Sequence, residues 1–169
     1  LEDQSRSGRT AILVAHDGQA IGVVTVADAI KPGAREAVAA LKADGIRIVL
    51  ASGDAQGTVD AVARELGITE THAGVTPEDK HELIEQLRRD GHRTAFAGDG
   101  VNDAPALAAA DVGIAMGTGA DVAIESAGIT LVGGELGGIV RARGLARAAV
   151  SNIHQNLWFA FGYNGLGVP

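Results

Sequence analysis

The sequence has no cysteine in its 169 residues, which excludes disulfides and thiolate metal sites and leaves the redox compartment open. Aromatic residues are only 3% of the chain, so its packing must rely on small aliphatic side chains. Positive charge is also short: 14 Lys and Arg stand against 21 Asp and Glu, a formal net charge of −7. Binding to a nucleic-acid backbone needs clustered cations, so no nucleic-acid partner is expected. The stretch Leu1 to Thr10 contains no apolar run and no initiating Met. It reads as neither a signal peptide nor a natural start, and the expectation is that the chain begins inside something larger.

What is present is an α/β rhythm with 24 glycines and abundant alanine. A chain of this length supports one main core. Strands are predicted at Ala11 to Ala15 and Ile21 to Val26, joined by a turn at His16-Asp17-Gly18-Gln19. From Asp28 onward, strand, loop and helix repeat, which favours a parallel sheet covered by helices.

A first helix, Gly33 to Lys42, places Ala34, Ala37, Val38 and Leu41 on one face, and a buried strand is expected at Ile46 to Leu50. A second helix takes Asp54 as its cap and presents Val59, Val62, Ala63 and Leu66. A third is signalled by Thr76 as cap, Pro77 at the first position and Glu78 and Asp79 in the first turn, with Leu83, Ile84 and Leu87 inward. Further elements are a strand at Arg93 to Ala97, a helix around Ala104 to Ala109, a strand at Val112 to Ala115, a helix at Ala120 to Glu125 and a strand at Ile129 to Val132. Gly133-Gly134 and Gly137-Gly138 read as a flexible joint.

No acidic residue occurs after Glu135. A helix over Ile139 to Val150 carries Arg141, Arg143 and Arg147, and the stretch Leu157 to Pro169 has no charge. Such a run is shorter than the about 20 residues a membrane helix needs. A basic helix feeding a Trp-, Phe- and Tyr-bearing apolar run fits either a membrane entry or an amphipathic helix docked on the domain.

The strongest chemical signal is Gly98-Asp99-Gly100-Val101-Asn102-Asp103-Ala104-Pro105. Asp99 directly follows an apolar strand, at the end where ligands bind in open α/β sheets. Asp103 lies four residues on, and the two flanking glycines let the loop curl. Mg²⁺ takes hard oxygen ligands, commonly one or two carboxylates with water and phosphate, so Asp99 and Asp103 are the candidate magnesium ligands. The competing reading is a solvent-facing turn with Asn102 or Asp103 as a helix cap.

Ser52-Gly53-Asp54 ends the preceding buried strand. Its hydroxyl and amides could hold a phosphoryl oxygen, or it could be an ordinary strand-to-helix turn. Lys80, in the first turn of the third helix, is either a cation aimed at phosphate or a residue on a solvated face. Asp28, Lys31 and Pro32 occupy the first strand-to-helix junction, where Asp28 could cap and Lys31 could pair with it. The five histidines form no metal-ligand cluster.

Taken in order, Ser52-Gly53-Asp54, Lys80 and Gly98-Asp99-Gly100-Val101-Asn102-Asp103 resemble the phosphorylation domain of P-type cation-transporting ATPases, members of the haloacid-dehalogenase superfamily. The resemblance covers nearly the whole chain. It implies a parallel-sheet, Rossmannoid α/β domain with an incomplete nucleotide-binding-domain remnant at its N-terminus. Residues 1–26 would be the end of that domain and 27–138 the phosphorylation domain. Residues 139–156 would be a connecting helix and 157–169 the truncated start of a transmembrane helix.

Ser52 falls where the family has Thr of Thr-Gly-Asp, whose hydroxyl contacts the phosphoryl group; Gly53 matches, and Asp54 matches a residue linked to nucleotide and hinge contacts. Lys80 matches the lysine that stabilises the phosphoaspartate, Asp99 the magnesium aspartate, and Asn102 and Asp103 the pair beside it. Asp28, Lys31 and Pro32 match the Asp-x-x-Lys-Pro entry. Asn152 to Leu157, with Tyr163 and Asn164, resembles the heavy-metal branch and most of all copper(I) pumps, in which the last two would lie on the path of the transported ion.

The implied chemistry is ATP-driven export of copper(I) with Mg²⁺, in a membrane protein whose phosphorylation domain is cytoplasmic. Its partners would be the actuator, nucleotide-binding and membrane domains of the same protein, with a copper chaperone as a further candidate. The departure is large: the Asp-Lys-Thr-Gly-Thr segment that supplies the nucleophile does not occur in this sequence. In such folds that segment ends the central strand, so the sheet is expected to lack its middle strand, and the chain alone is expected to be inactive. A soluble phosphatase of the same superfamily and a catalytically inactive fragment are the alternatives.

Overall fold

A computed structural model describes residues 10–26, 29–98, 101–117 and 121–167. Strands β1 (Thr10–His16) and β2 (Gln19–Val26) form an antiparallel hairpin. Its turn is the two residues Asp17 and Gly18, both at positive φ, rather than the four expected. Two left-handed residues match the twist of the flanking strands, which lets Gln19 pair directly with His16. The hairpin leaves Ile12, Leu13, Ile21 and Val24 exposed.

The main body follows as α1 (Ala34–Ala43), β3 (Val49–Ser52), α2 (Gln56–Leu66), β4 (Glu70–Ala73), α3 (Pro77–Arg89) and β5 (Ala95–Gly98). A single 3-10 turn at Val101–Asp103 leads to α4 (Ala104–Ala109), β6 (Val112–Met116), α5 (Asp121–Ser126), β7 (Ile129–Leu131) and α6 (Gly137–Gly167). Helix α1 buries Ala34, Ala37, Val38 and Leu41, the face that its periodicity indicated. Ala34, Val38, Ala63, Leu66 and Ile68 form a core cluster on which Ile30, Ile48, Leu50, Val62 and Leu136 pack.

Several boundaries differ from the sequence reading. Ile46 does not open a strand, because its N–H donates to Leu41 O (3.1 Å) across Gly45 at φ 79°, closing α1 with a left-handed cap. Asp54 does not cap α2; Ala55 holds that position, and the Asp54 side chain turns back to Ser52. Strand β4 has no apolar run to announce it, yet Glu70 to Ala73 pairs in parallel with Val49 to Ser52. On α3 only Ile84 is fully buried, and Leu83 and Leu87 are half-buried.

The parallel core is divided. β3 pairs with β4, and β5, β6 and β7 form a second parallel sheet, with no ladder joining β3 to β5 among the described residues. This matches a sheet without its middle strand. Both halves run the same way. Helix α3 leaves the C-terminal end of β4, and its first turn meets the loop after β5 through Lys80 and Asp103. Its last turn reaches the end of α4, where Arg88 donates to Ala109 O.

Residues 137–167 form one helix without a break at 156, and Gly137 and Gly138 lie in its first turn instead of making a loose joint. Gly134 and Gly138 are buried. From residue 144 onward α6 is exposed, including Trp158 at 78% and Phe159 at 70%. No helix among the described residues is long and apolar enough to cross a membrane.

Two acids are tied to backbone amides. Thr76 and Asp79 close a reciprocal capping box on α3. Asp111 accepts from Thr94 N–H at 2.8 Å. Hydrogen bonding from the Thr76 N–H holds the Asp79 carboxyl below its ordinary value, and the Thr94 N–H does the same for Asp111. A depressed folded pKa means the stabilisation is fully present above the unfolded value of about 3.9 and is lost as pH falls through the folded value. Amide exchange at Thr76 and Thr94, whose N–H groups donate to the two carboxylates, should therefore accelerate as pH drops below about 4, beyond the intrinsic pH effect, and rates following only the intrinsic effect would contradict this assignment.

Candidate active site

Two clusters stand at the C-terminal ends of the strands. At the tip of β3, Ser52 Oγ donates to Asp54 Oδ2 (2.8 Å) and accepts from the Asp54 N–H (3.3 Å). The loop is stitched to the end of β4 by Gly74 N–H to Asp54 O (2.9 Å) and Val75 N–H to Ser52 O (3.1 Å). Gly53 and Asp54 are exposed, so a hydroxyl and a carboxylate stand at a solvent-facing strand tip on a fixed backbone.

At the tip of β5, Lys80 Nζ donates to Asp103 Oδ1 at 2.7 Å, with side-chain exposures of 17% and 11%. That burial takes the Lys80 ammonium off the solvated face. A cation in the first helical turn opposes the helix dipole, and removing two charges from water costs several kcal/mol per ion. The pair offsets part of both costs. Asp103 occupies the N-cap position of α4, but its side chain makes no capping bond to the helix and turns to Lys80 instead.

Gly98 makes the geometry attainable. A Cβ there would lie 2.6 Å from Asp103 Oδ2, so the carboxylate occupies the space a side chain would need. Asn102 sits exposed on the 3-10 turn beside it. Asp99 and Asp28 lie outside the described residues. Lys31 donates not to an acid but to Gly134 O (3.1 Å), in the turn before α6. Tyr163 and Asn164 lie on the exposed end of α6, with Tyr163 at 80% exposure. The Ser52–Asp54 and Lys80–Asp103 pairs are not hydrogen-bonded to each other among the described residues.

A carboxylate with one oxygen committed to Lys80 and the other over a glycine has the hard-oxygen chemistry that magnesium takes, directly or through its water. No group of three or more His, Cys, Asp or Glu side chains suited to a metal occurs among the described residues. One or two carboxylates with water and substrate oxygen are the usual magnesium set, so the residues present fit the ion.

Comparison with known proteins extends the geometry. The haloacid dehalogenase-like hydrolase family matches residues 1–111. A copper-transporting P-type ATPase of Rhizobium leguminosarum bv. viciae is 62% identical over 96% of this chain and 19% of its own length. A silver exporting P-type ATPase of Salmonella typhimurium is 57% identical over 96% of this chain and 20% of its own. The crystal structure of a zinc-transporting PIB-type ATPase in the E2.Pi state superposes with a TM-score of 0.88 at 39% identity, covering 98% of this chain and 27% of that one. The chain belongs to the haloacid dehalogenase-like hydrolase family, as a phosphorylation domain of the heavy-metal P-type ATPase branch. It spans about a fifth of the length of these curated relatives.

Sequence reasoning missed the grip on α6 by the end of α1, described below, and the tie between Thr94 and Asp111. Neither has a local signal, since the partners are far apart in sequence or are ordinary charged residues. The substitution Gly98→Ala should displace the Asp103 carboxylate and lower stability by about 1–3 kcal/mol, the usual cost of overpacking. Chemical denaturation with an unchanged midpoint would show that the carboxylate can move aside freely.

Proposed function

We propose that the chain is the phosphoryl-handling part of a longer protein that drives a heavy-metal cation across a membrane with ATP, and that copper(I) export is its specific task. The observation that carries the reading is the part-buried Lys80–Asp103 pair at the tip of β5, which holds an ammonium and a carboxylate together at one strand end. The names of the copper and silver transporters, with their identities of 62% and 57%, support the choice of a monovalent soft metal.

In this reading the phosphate acceptor is an aspartate in an Asp-Lys-Thr-Gly-Thr segment of the longer protein, which would insert between the tips of β3 and β5. Lys80 offsets charge on the transferred phosphoryl group, and the Ser52 hydroxyl donates to one of its oxygens. Asp99 and Asp103 would hold magnesium, whose charge polarises the phosphoryl oxygens when bound. Asn102 orients the loop between them, and Gly53 lets substrate approach the backbone. Asp54, Asp28 and Lys31 serve the hinge toward the nucleotide-binding part, of which residues 1–26 form the end.

Residues 27–138 are the phosphorylation domain and 139–156 the connecting helix. Residues 157–169 lead toward the membrane with Tyr163 and Asn164 on the ion path. The actuator, nucleotide-binding and membrane domains of the same protein are the partners, and a copper chaperone is the candidate donor of the ion. This places the protein in a membrane with the present domain on its cytoplasmic side.

The test is phosphoenzyme formation from ATP in the longer protein with copper(I) and magnesium. Lys80→Met and Asp99→Asn should each reduce the rate by about 10²–10³-fold, the size of losing one preorganised charge-stabilising group. The 169-residue chain alone should form no phosphoenzyme. Near-normal turnover in either variant, or turnover by the chain alone, would contradict the assigned roles.

A further inference from the structure

Helices α1 and α6 lie side by side and are tied at both ends. At the leading end, Lys31 Nζ donates to Gly134 O (3.1 Å). Gly134, at φ 59°, sits where an added Cβ would come within 3.2 Å of both Gly117 Cα and Lys31 Nζ. At the trailing end, Asp44, the residue that ends α1, receives two arginines of α6. Arg143 Nη1 contacts Asp44 Oδ2, and Arg147 Nη1 donates to the same oxygen at 3.0 Å.

The spacing is matched. The ten residues of α1 rise about 15 Å, as do those from Gly137 to Arg147, so both ties close without bending either helix. Arg143 is also the last residue of α6 that is not exposed, and its Nη1 is fully buried. Beyond it, residues 144–167 are exposed throughout and extend about 35 Å.

A surface ion pair would contribute little to holding such a helix. Here one nitrogen of the Arg143 guanidinium is buried against the Asp44 carboxylate, and removing that carboxylate leaves the nitrogen without its anionic partner. We propose that Asp44 is a positioning residue: by gripping Arg143 and Arg147 it fixes the direction in which α6 leaves the domain, so that α6 follows α1 as one body. Residues 29–33 lead directly into α1, so motion of that entry segment reaches α6 through α1 without passing through the phosphate site. The part of this inference that concerns coupling to ion movement rests on the transport reading above.

The chain has no cysteine of its own, so Ala40→Cys and Ser151→Cys, both at exposed positions, allow spin-label distances between α1 and α6 to be measured. The labelled chain should give one narrow distance distribution, Asp44→Ala a broad one, and Asp44→Glu a narrow one again. Should Asp44→Ala fail to fold, Arg147→Ala, which keeps the buried Arg143 contact, should still broaden the distribution partially. In the longer protein, Asp44→Ala should keep phosphoenzyme formation and lose severalfold in metal moved per ATP hydrolysed, with recovery in Asp44→Glu. Distributions as narrow as the parent's in both Asp44→Ala and Arg147→Ala would overturn the proposal. Broadening in a longer protein that moves no metal even with Asp44 intact would uphold the grip and sink the transport reading.

Discussion

The ion pair between Lys80 and Asp103 is the constraint on which the arrangement of the domain turns. It joins the first turn of α3 to the loop beyond β5, and so links the β3–β4 half of the core to the β5–β6–β7 half at the end where phosphate chemistry would take place. Its partners are among the least exposed charged side chains described, at 17% and 11%. Two apolar residues of similar size would hold such a junction at least as firmly, because a buried ion pair rarely repays its desolvation. What the pair supplies and apolar packing cannot is a fixed ammonium and a fixed carboxylate at one strand tip, before any substrate arrives. That is the requirement of electrostatic preorganisation.

The divided sheet is the second consequence of this architecture. Two parallel sheets with no ladder between β3 and β5 among the described residues leave strand edges whose backbone donors and acceptors water must satisfy unless another strand does. The Ser52 loop and the Gly98 loop follow β3 and β5, between which no ladder forms among the described residues. The first loop is held within its own half by bonds to Gly74 and Val75, and the second is tied across to that half by the Lys80 contact.

Much of this was legible from the residues. The inward face of α1, the Thr76–Pro77–Asp79 start of α3 and the strand before Gly98 could be read because each rests on local physics: periodicity, amide capping, and an apolar run followed by glycine. The errors share one cause. Ile46 reads as a strand residue until its N–H is seen closing the cap of α1. Asp54 reads as a helix cap until its carboxylate is seen bonded to Ser52. Glu70 to Ala73 has no strand signature and becomes a strand because β3 offers it a partner. In each case a hydrogen bond chosen by neighbours outweighed a local preference of a few tenths of a kcal/mol to about one.

The sequence by itself determined the chemistry available: hard oxygen donors, one hydroxyl and one lysine in a fixed order, no thiol, and a family likeness resting on those motifs. Only the tertiary structure decided which of those groups are buried against each other and which stay in water. It turned Lys80 from a candidate surface residue into half of an ion pair, sent Lys31 to a carbonyl 103 positions away, and made Asp44 the anchor of a 31-residue helix. The reason is that burial, and with it the cost of an unpaired charge, depends on which segments meet across the fold and is encoded in no single stretch of chain.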